Sequence, residues 1–242
     1  MSIKAVLNLD PALSAHLVSA SRLAEKRPRC ATGIGALDDL LGGGWPVGAL
    51  SELCGRRSSG RTAVLYAALA SAIAAGHTVA LVDSGGALDP RRAAEAGIAL
   101  DRLLWIRCAA AQALKAADLL LTAGGFGLLA LDLGEGRVNG SAWNRLKHAA
   151  ERQQTAVLVA TPWRTVGAFA AAAISLRARH VRFHRRHAGG DASGATSAAC
   201  PPLLADLETV VERERGGAAL DRAAAEVEGN GACASLVFSS PS

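Results

Sequence analysis

Gly55-Arg56-Arg57-Ser58-Ser59-Gly60-Arg61-Thr62 has the spacing of a phosphate-binding loop, G-x-x-x-x-G-K-[ST], with arginine where the lysine belongs. Such a loop cradles phosphate with backbone N–H groups at the start of a helix. Lysine acts there as a compact point charge, whereas arginine is a planar, permanently charged fork. The framing glycines and the hydroxyl of Thr62 are in place, so the loop keeps its architecture and changes its chemistry. Working outward, Leu50–Cys54 reads as a short strand entering the loop. Arg61–Ala75, rich in Ala and Leu and stopped by Gly76, reads as the helix that follows it.

The pattern repeats downstream. Thr78–Asp83, Leu103–Cys108, Gly127–Leu133 and Thr155–Thr161 read as strands, and Pro90–Ala96, Ala111–Thr122 and Ser141–Gln153 as helices. Continuous apolar strands alternating with helices predict an α/β fold, a mainly parallel sheet covered by helices on both faces. Ile174–His184 alternates and predicts one or two antiparallel edge strands. His187–Ala199 has no periodicity and reads as a linker. In Leu203–Arg215, the residues Leu203, Leu204, Leu207, Val210 and Val211 fall on one helical stripe, which predicts an amphipathic partner-binding helix. Ala234–Phe238 is a candidate last strand. The division is therefore an N-terminal helical segment (1–30), a core (31–186), a flexible linker (187–200) and a C-terminal helix and tail (201–242).

Composition narrows the class. Half of the 242 residues are apolar but only 4% are aromatic, so the core is built from Ala, Leu and Val. The longest apolar runs are too short to cross a bilayer, and the N-terminus lacks a signal-peptide pattern, so a soluble cytoplasmic protein without membrane contact is expected. Five scattered cysteines give neither metal-ligand spacing nor a disulfide framework. A net charge of +5 is a mild basic bias. Its densest cluster is Arg177, Arg179, Arg182, Arg185 and Arg186, which reads equally as a charged edge strand that blocks aggregation or as a contact for phosphate or an acidic partner.

Leu128-Leu129-Ala130-Leu131-Asp132 is an apolar strand ending in a carboxylate, the form of a Walker B strand, whose aspartate helps hold Mg²⁺. Thr32-Gly33-Ile34-Gly35-Ala36-Leu37-Asp38 and Gly42-Gly43-Gly44-Trp45-Pro46-Val47-Gly48 precede the loop. Leu81-Val82-Asp83, Ala87-Leu88-Asp89-Pro90, Gly97 and Leu103-Leu104 follow it. In this order the segments resemble the core of the RecA recombinase family over roughly residues 31–184. The run Gly43–Leu53 is most similar to ImuA proteins, RecA-like accessory factors of SOS mutagenesis.

The resemblance implies ATP or ADP, with Mg²⁺, as ligands that the loop permits but does not require. It implies three partners: RecA, an ImuB-like polymerase subunit and an error-prone DNA polymerase. The departures imply loss of catalysis. The family's water-activating glutamate falls at Gly85, its γ-phosphate-sensing glutamine at Thr161, and its lysine at Arg61. The expected function is therefore a non-catalytic adaptor in DNA damage tolerance and translesion mutagenesis. The alternatives are a weak DNA-dependent ATPase of recombinational repair and a SulA-type cell-division inhibitor. The loops that bind DNA in the family are short here, leaving Arg137, Asn139, Trp163 and Arg164 as candidate contacts, so DNA binding is expected to be weak. Residues 1–30 carry none of the phenylalanine of the strand that chains RecA subunits together, so capping of a filament is expected rather than polymerisation.

Overall fold

The computed structural model describes residues 27–136, 138, 140–184, 203–215 and 233–239. The N-terminal segment up to Lys26, the whole linker (187–200), and Arg137, Asn139, Arg185 and Arg186 lie outside these residues. Two short strands, β1 (Arg29–Cys30) and β2 (Trp45–Pro46), pair antiparallel and flank α1 (Gly35–Leu41). The main elements follow: β3 (Leu50–Gly55), α2 (Arg61–Ala74), β4 (Val79–Asp83), α3 (Pro90–Glu95), β5 (Leu103–Arg107), α4 (Ala110–Ala123), β6 (Leu128–Asp132), α5 (Trp143–Gln153), β7 (Ala156–Thr161), β8 (Ala170–His184), β9 (Leu203–Arg215) and β10 (Cys233–Ser239).

One sheet of eight strands runs β10-β9-β8-β3-β7-β6-β4-β5. Every residue of β3, β4, β6 and β7 is buried, which requires cover on both faces. Residues of α1 and α2, with Leu88, Ala93 and Ile98 around α3, close one side. Residues of α4 and α5, including Leu121, Trp143 and Leu146, close the other. The Thr32–Asp38 motif has a local structural reason. The Thr32 N–H donates to Asp38 Oδ1 at 2.7 Å, which fixes the turn into α1. The parallel register sets Asp83 beside Asp132, Asp132 beside Ala160, and Cys54 beside Thr161. The strands therefore end level, and their carboxyl ends form the crevice where α/β sheets place ligands.

Two sequence expectations are corrected. Leu203–Arg215 is a strand, not an amphipathic helix, and it pairs antiparallel with both β8 and β10. Leu203, Leu207 and Val211 lie four residues apart, a spacing that satisfies one helical stripe and one strand face alike. The run Thr209-Val210-Val211 and the alternating charges that follow favour the strand. Leu207 and Val211 are buried and Val210 is half-buried, as alternation demands. The second correction concerns Ile174–His184. It belongs to one 15-residue strand, β8, that is interior rather than at an edge, parallel to β3 and antiparallel to β9. Among the described residues the edges are β5 and β10, the latter covering Ala234–Phe238 as expected.

The hairpin is thus part of the core. Val211→Asp, at a site with 0% exposure, is expected to cost at least about 3 kcal/mol in urea unfolding, because it buries an unpaired charge. Val237→Asp, at 65% exposure, is expected to change stability by no more than about 0.5 kcal/mol.

Candidate functional site: a phosphate loop closed by its own arginine

The loop between β3 and α2 forms as its sequence predicts. Gly60 sits at the helix N-cap with φ +86°, and Ser58 is also left-handed at φ 59°. A Cβ at Gly60 would lie 2.7 Å from the Phe238 ring, so only glycine fits there in both space and backbone angle. The loop opens on a cavity of about 700 Å³ whose walls include Arg56, Arg57, Arg61, Thr62, Ser84, Gly85, Asp132 and Glu135. Walker-type residues far apart in sequence therefore do meet.

Arg61 does not project freely. Its Nη1 donates to the Gly55 carbonyl at 2.7 Å, and its Nη2 lies 3.7 Å from Asp132 Oδ1. The two side chains are only 11% and 3% exposed. The same Asp132 oxygen accepts the Gly134 N–H at 3.0 Å. Burial pushes the Asp132 carboxyl above the ordinary carboxylate range and Asp83 adds to this, while the Gly134 N–H and Arg61 pull it back. Asp83 is occupied with structure. Its oxygens accept the N–H groups of Ala87 and Leu88 and the indole Nε1 of Trp105 at 3.1–3.2 Å.

The two other altered positions are equally definite. Gly85 and Gly134 face each other across the crevice. A Cβ on Gly85 would lie 3.2 Å from Gly134 Cα, and a Cβ on Gly134 would lie 2.9 Å from Gly85 Cα. The Thr161 hydroxyl donates to the Trp163 carbonyl at 2.6 Å and does not line the phosphate cavity.

Sequence reasoning missed two supports. The first is Glu52, in the middle of β3, whose carboxylate is fully buried. It accepts the N–H groups of Thr165 and Val166, the latter at 2.8 Å, and lies 3.5 Å from Arg164 Nε. Arg164 in turn reaches Glu214 Oε2 at 3.2 Å. An acid flanked by Leu50 and Leu53 in a segment read as a strand was the available signal. The second is the β9–β10 hairpin. Thr209 Oγ1 donates to the Ser59 carbonyl at 3.0 Å, Phe238 packs on Gly60, and Leu207 lines the cavity.

The remaining candidates divide. Arg164 and Arg177, with Trp163, line a second cavity of about 530 Å³ behind the loop. Arg179 lies 3.6 Å from Glu208 at the surface. Arg182 lies on β8, but its side chain, like those of Leu203 and Leu204, is outside the described residues. Cys54 is buried beside Glu52, and its thiol is pushed up to about 12, chiefly by burial. It is therefore a packed core residue and not a nucleophile.

A fold of this order with a loop of phosphate-loop spacing at the carboxyl end of its first long strand defines a RecA-type core. The family model for the RecA N-terminal domain matches residues 18–139, and the chain belongs to the RecA family. It is 42% identical to the RecA protein of Frankia alni over 103 residues, which are 42% of this chain and 30% of that one. It is 43% identical to RecA of Mycobacterium avium over 103 residues, 42% of this chain and 29% of the other. The matched segment thus spans about 30% of the length of these curated relatives. The fold is also that of the RadB recombinase, with TM-score 0.57 and 17% identity over 85% of this chain and 94% of that one. Among the described residues no helix is long and apolar enough to cross a membrane.

Arg61 is the cation that offsets the buried Asp132. Without it the folded-state pKa of Asp132 rises further. A carboxylate whose folded pKa lies above its unfolded value costs stability above that pKa, and the cost is relieved as pH falls through it. Arg61→Ala is therefore expected to lose about 2 kcal/mol at pH 7 and measurably less at pH 5, as read by urea titration at the two pH values.

Proposed function

We propose that this protein is a non-catalytic RecA-like adaptor of the SOS response. It acts in DNA damage tolerance and translesion mutagenesis by binding RecA and an ImuB-like polymerase subunit, with an error-prone polymerase as a further partner. The observation that carries the loss of catalysis is the close approach of Gly85 and Gly134. It leaves no carboxylate where RecA-type enzymes activate water, and it crowds any Cβ placed there against the Gly134 backbone. The self-bonded Arg61 and the inward-turned Thr161 support the same reading, because both withdraw groups that would follow a γ-phosphate. Nucleotide in the 700 Å³ cavity is then a ligand and not a substrate. The long matched stretch to RecA supports a shared docking surface, and the acidic–basic chain Glu52–Arg164–Glu214 holds the Trp163 loop as a fixed feature beside it.

Two measurements test this. ATP turnover with single-stranded DNA is expected to stay at least about a hundredfold below that of a RecA recombinase assayed alongside. Gly85→Glu is expected not to raise it, since the new side chain meets the Gly134 backbone. Turnover near the recombinase rate, lost in Arg61→Ala, would instead establish a working ATPase. Light scattering of RecA on single-stranded DNA is expected to show altered filament growth when this protein is added. Unaltered growth and no co-sedimentation would remove RecA as a partner.

A further inference from the structure

A RecA-type loop implies a divalent cation held between the bound phosphates, the hydroxyl after the loop's basic residue and the strand-end carboxylate. In this chain those groups are Thr62 and Asp132. Asp132 does not fit the role. Its Oδ1 already accepts the Gly134 N–H at 3.0 Å and faces the Arg61 guanidinium at 3.7 Å, in a pair almost closed to solvent. The guanidinium is anchored at its other end on the Gly55 carbonyl at 2.7 Å. Arginine cannot shed its proton, so a divalent ion on Asp132 would sit against a fixed positive charge. A lysine has a single ammonium on a flexible stem and can move away, whereas the guanidinium is held by two of its nitrogens.

The cavity also shows what it lacks. Arg61 Nε and Ser84 Oγ, both buried atoms of residues on its wall, have no hydrogen-bond partner among the described residues. Both can donate, so the wall holds unused donor capacity. Arg56, Arg57 and Arg61 stand against Asp132 and Glu135 around the same space, so the cavity is net positive with no metal present.

We propose that this loop takes a metal-free polyphosphate, a nucleoside diphosphate or pyrophosphate, with Arg61 standing where other loops of this type place a divalent cation. The inference rests on reading the cavity as a phosphate site. Isothermal titration of the full chain with ADP and with pyrophosphate, in MgCl₂ and in EDTA, tests both levels. The expected result is an affinity in EDTA at least as high as that in MgCl₂, where Mg²⁺ sequesters the free ligand. Tighter binding of ADP than of pyrophosphate marks a nucleotide ligand, and equal binding marks the phosphates alone. Arg61→Lys is expected to lose about tenfold in EDTA and to recover in MgCl₂. Asp132→Asn is expected to bind in EDTA at least as tightly as the wild type. With ADP and Mn²⁺, the wild type is expected to give no electron paramagnetic resonance signal beyond those of aqueous Mn²⁺ and of Mn²⁺–ADP in buffer, a readout that survives if either variant fails to fold. Wild-type affinity that drops about tenfold or more in EDTA, or a protein-bound Mn²⁺ signal, overturns the metal-free proposal alone. No binding of ADP, pyrophosphate or sulfate in either condition overturns the phosphate site itself, and the proposal with it.

Discussion

The guanidinium of Arg61 joins two strand ends that do not touch. Gly55 closes β3 and Asp132 closes β6, and β7 lies between them in the sheet. A short hydrogen bond to one and a nearly buried ion pair with the other span that gap. The geometry follows from position. Arg61 is the first residue of α2, and the tight turn at Gly60 aims its side chain back over the carboxyl ends of the strands. A buried ion pair of this kind adds little net stability, because desolvation offsets the attraction. Its effect is to fix where charge lies, and with it the chemistry the crevice can perform.

The rest of the crevice is held from outside the phosphate loop. The β9–β10 hairpin supplies Thr209 to a loop carbonyl and Phe238 to the space over Gly60. On the other flank, Glu52 holds the turn after β7 through backbone N–H groups, and Arg164 carries the connection on to Glu214 in β9. Both connections lead to β9, through Thr209 and through Glu214. The loop's basic residue is itself engaged through both Nη atoms.

RecA-type recombinases and this chain share a fold in which one crevice can serve either chemistry or recognition. The sequence departs from the family pattern at a few positions at or near that crevice, Arg61, Gly85 and Thr161. Fold kinship carries the architecture across such changes, whereas function follows the groups present at the site.

Much of this was legible in the sequence. The glycine spacing of residues 55–60, the buried runs of β3, β4, β6 and β7, and the carboxylate at Asp132 announce the sheet, its crevice and the loop, because each depends on local spacing or continuous burial. The segment 203–215 was not legible as a strand. A four-residue spacing is common to one face of a helix and one face of a strand, and the partners β8 and β10 that decide between them are supplied by tertiary pairing. The roles of Arg61, Gly85 and Glu52 also came only from the folded chain. The sequence determined which groups are present: an arginine in place of lysine, a glycine in place of glutamate, an acid between two leucines of a strand. Tertiary structure decided what each one faces, and charge, hydrogen bonding and steric room are properties of those neighbours, which lie up to 114 residues away along the chain.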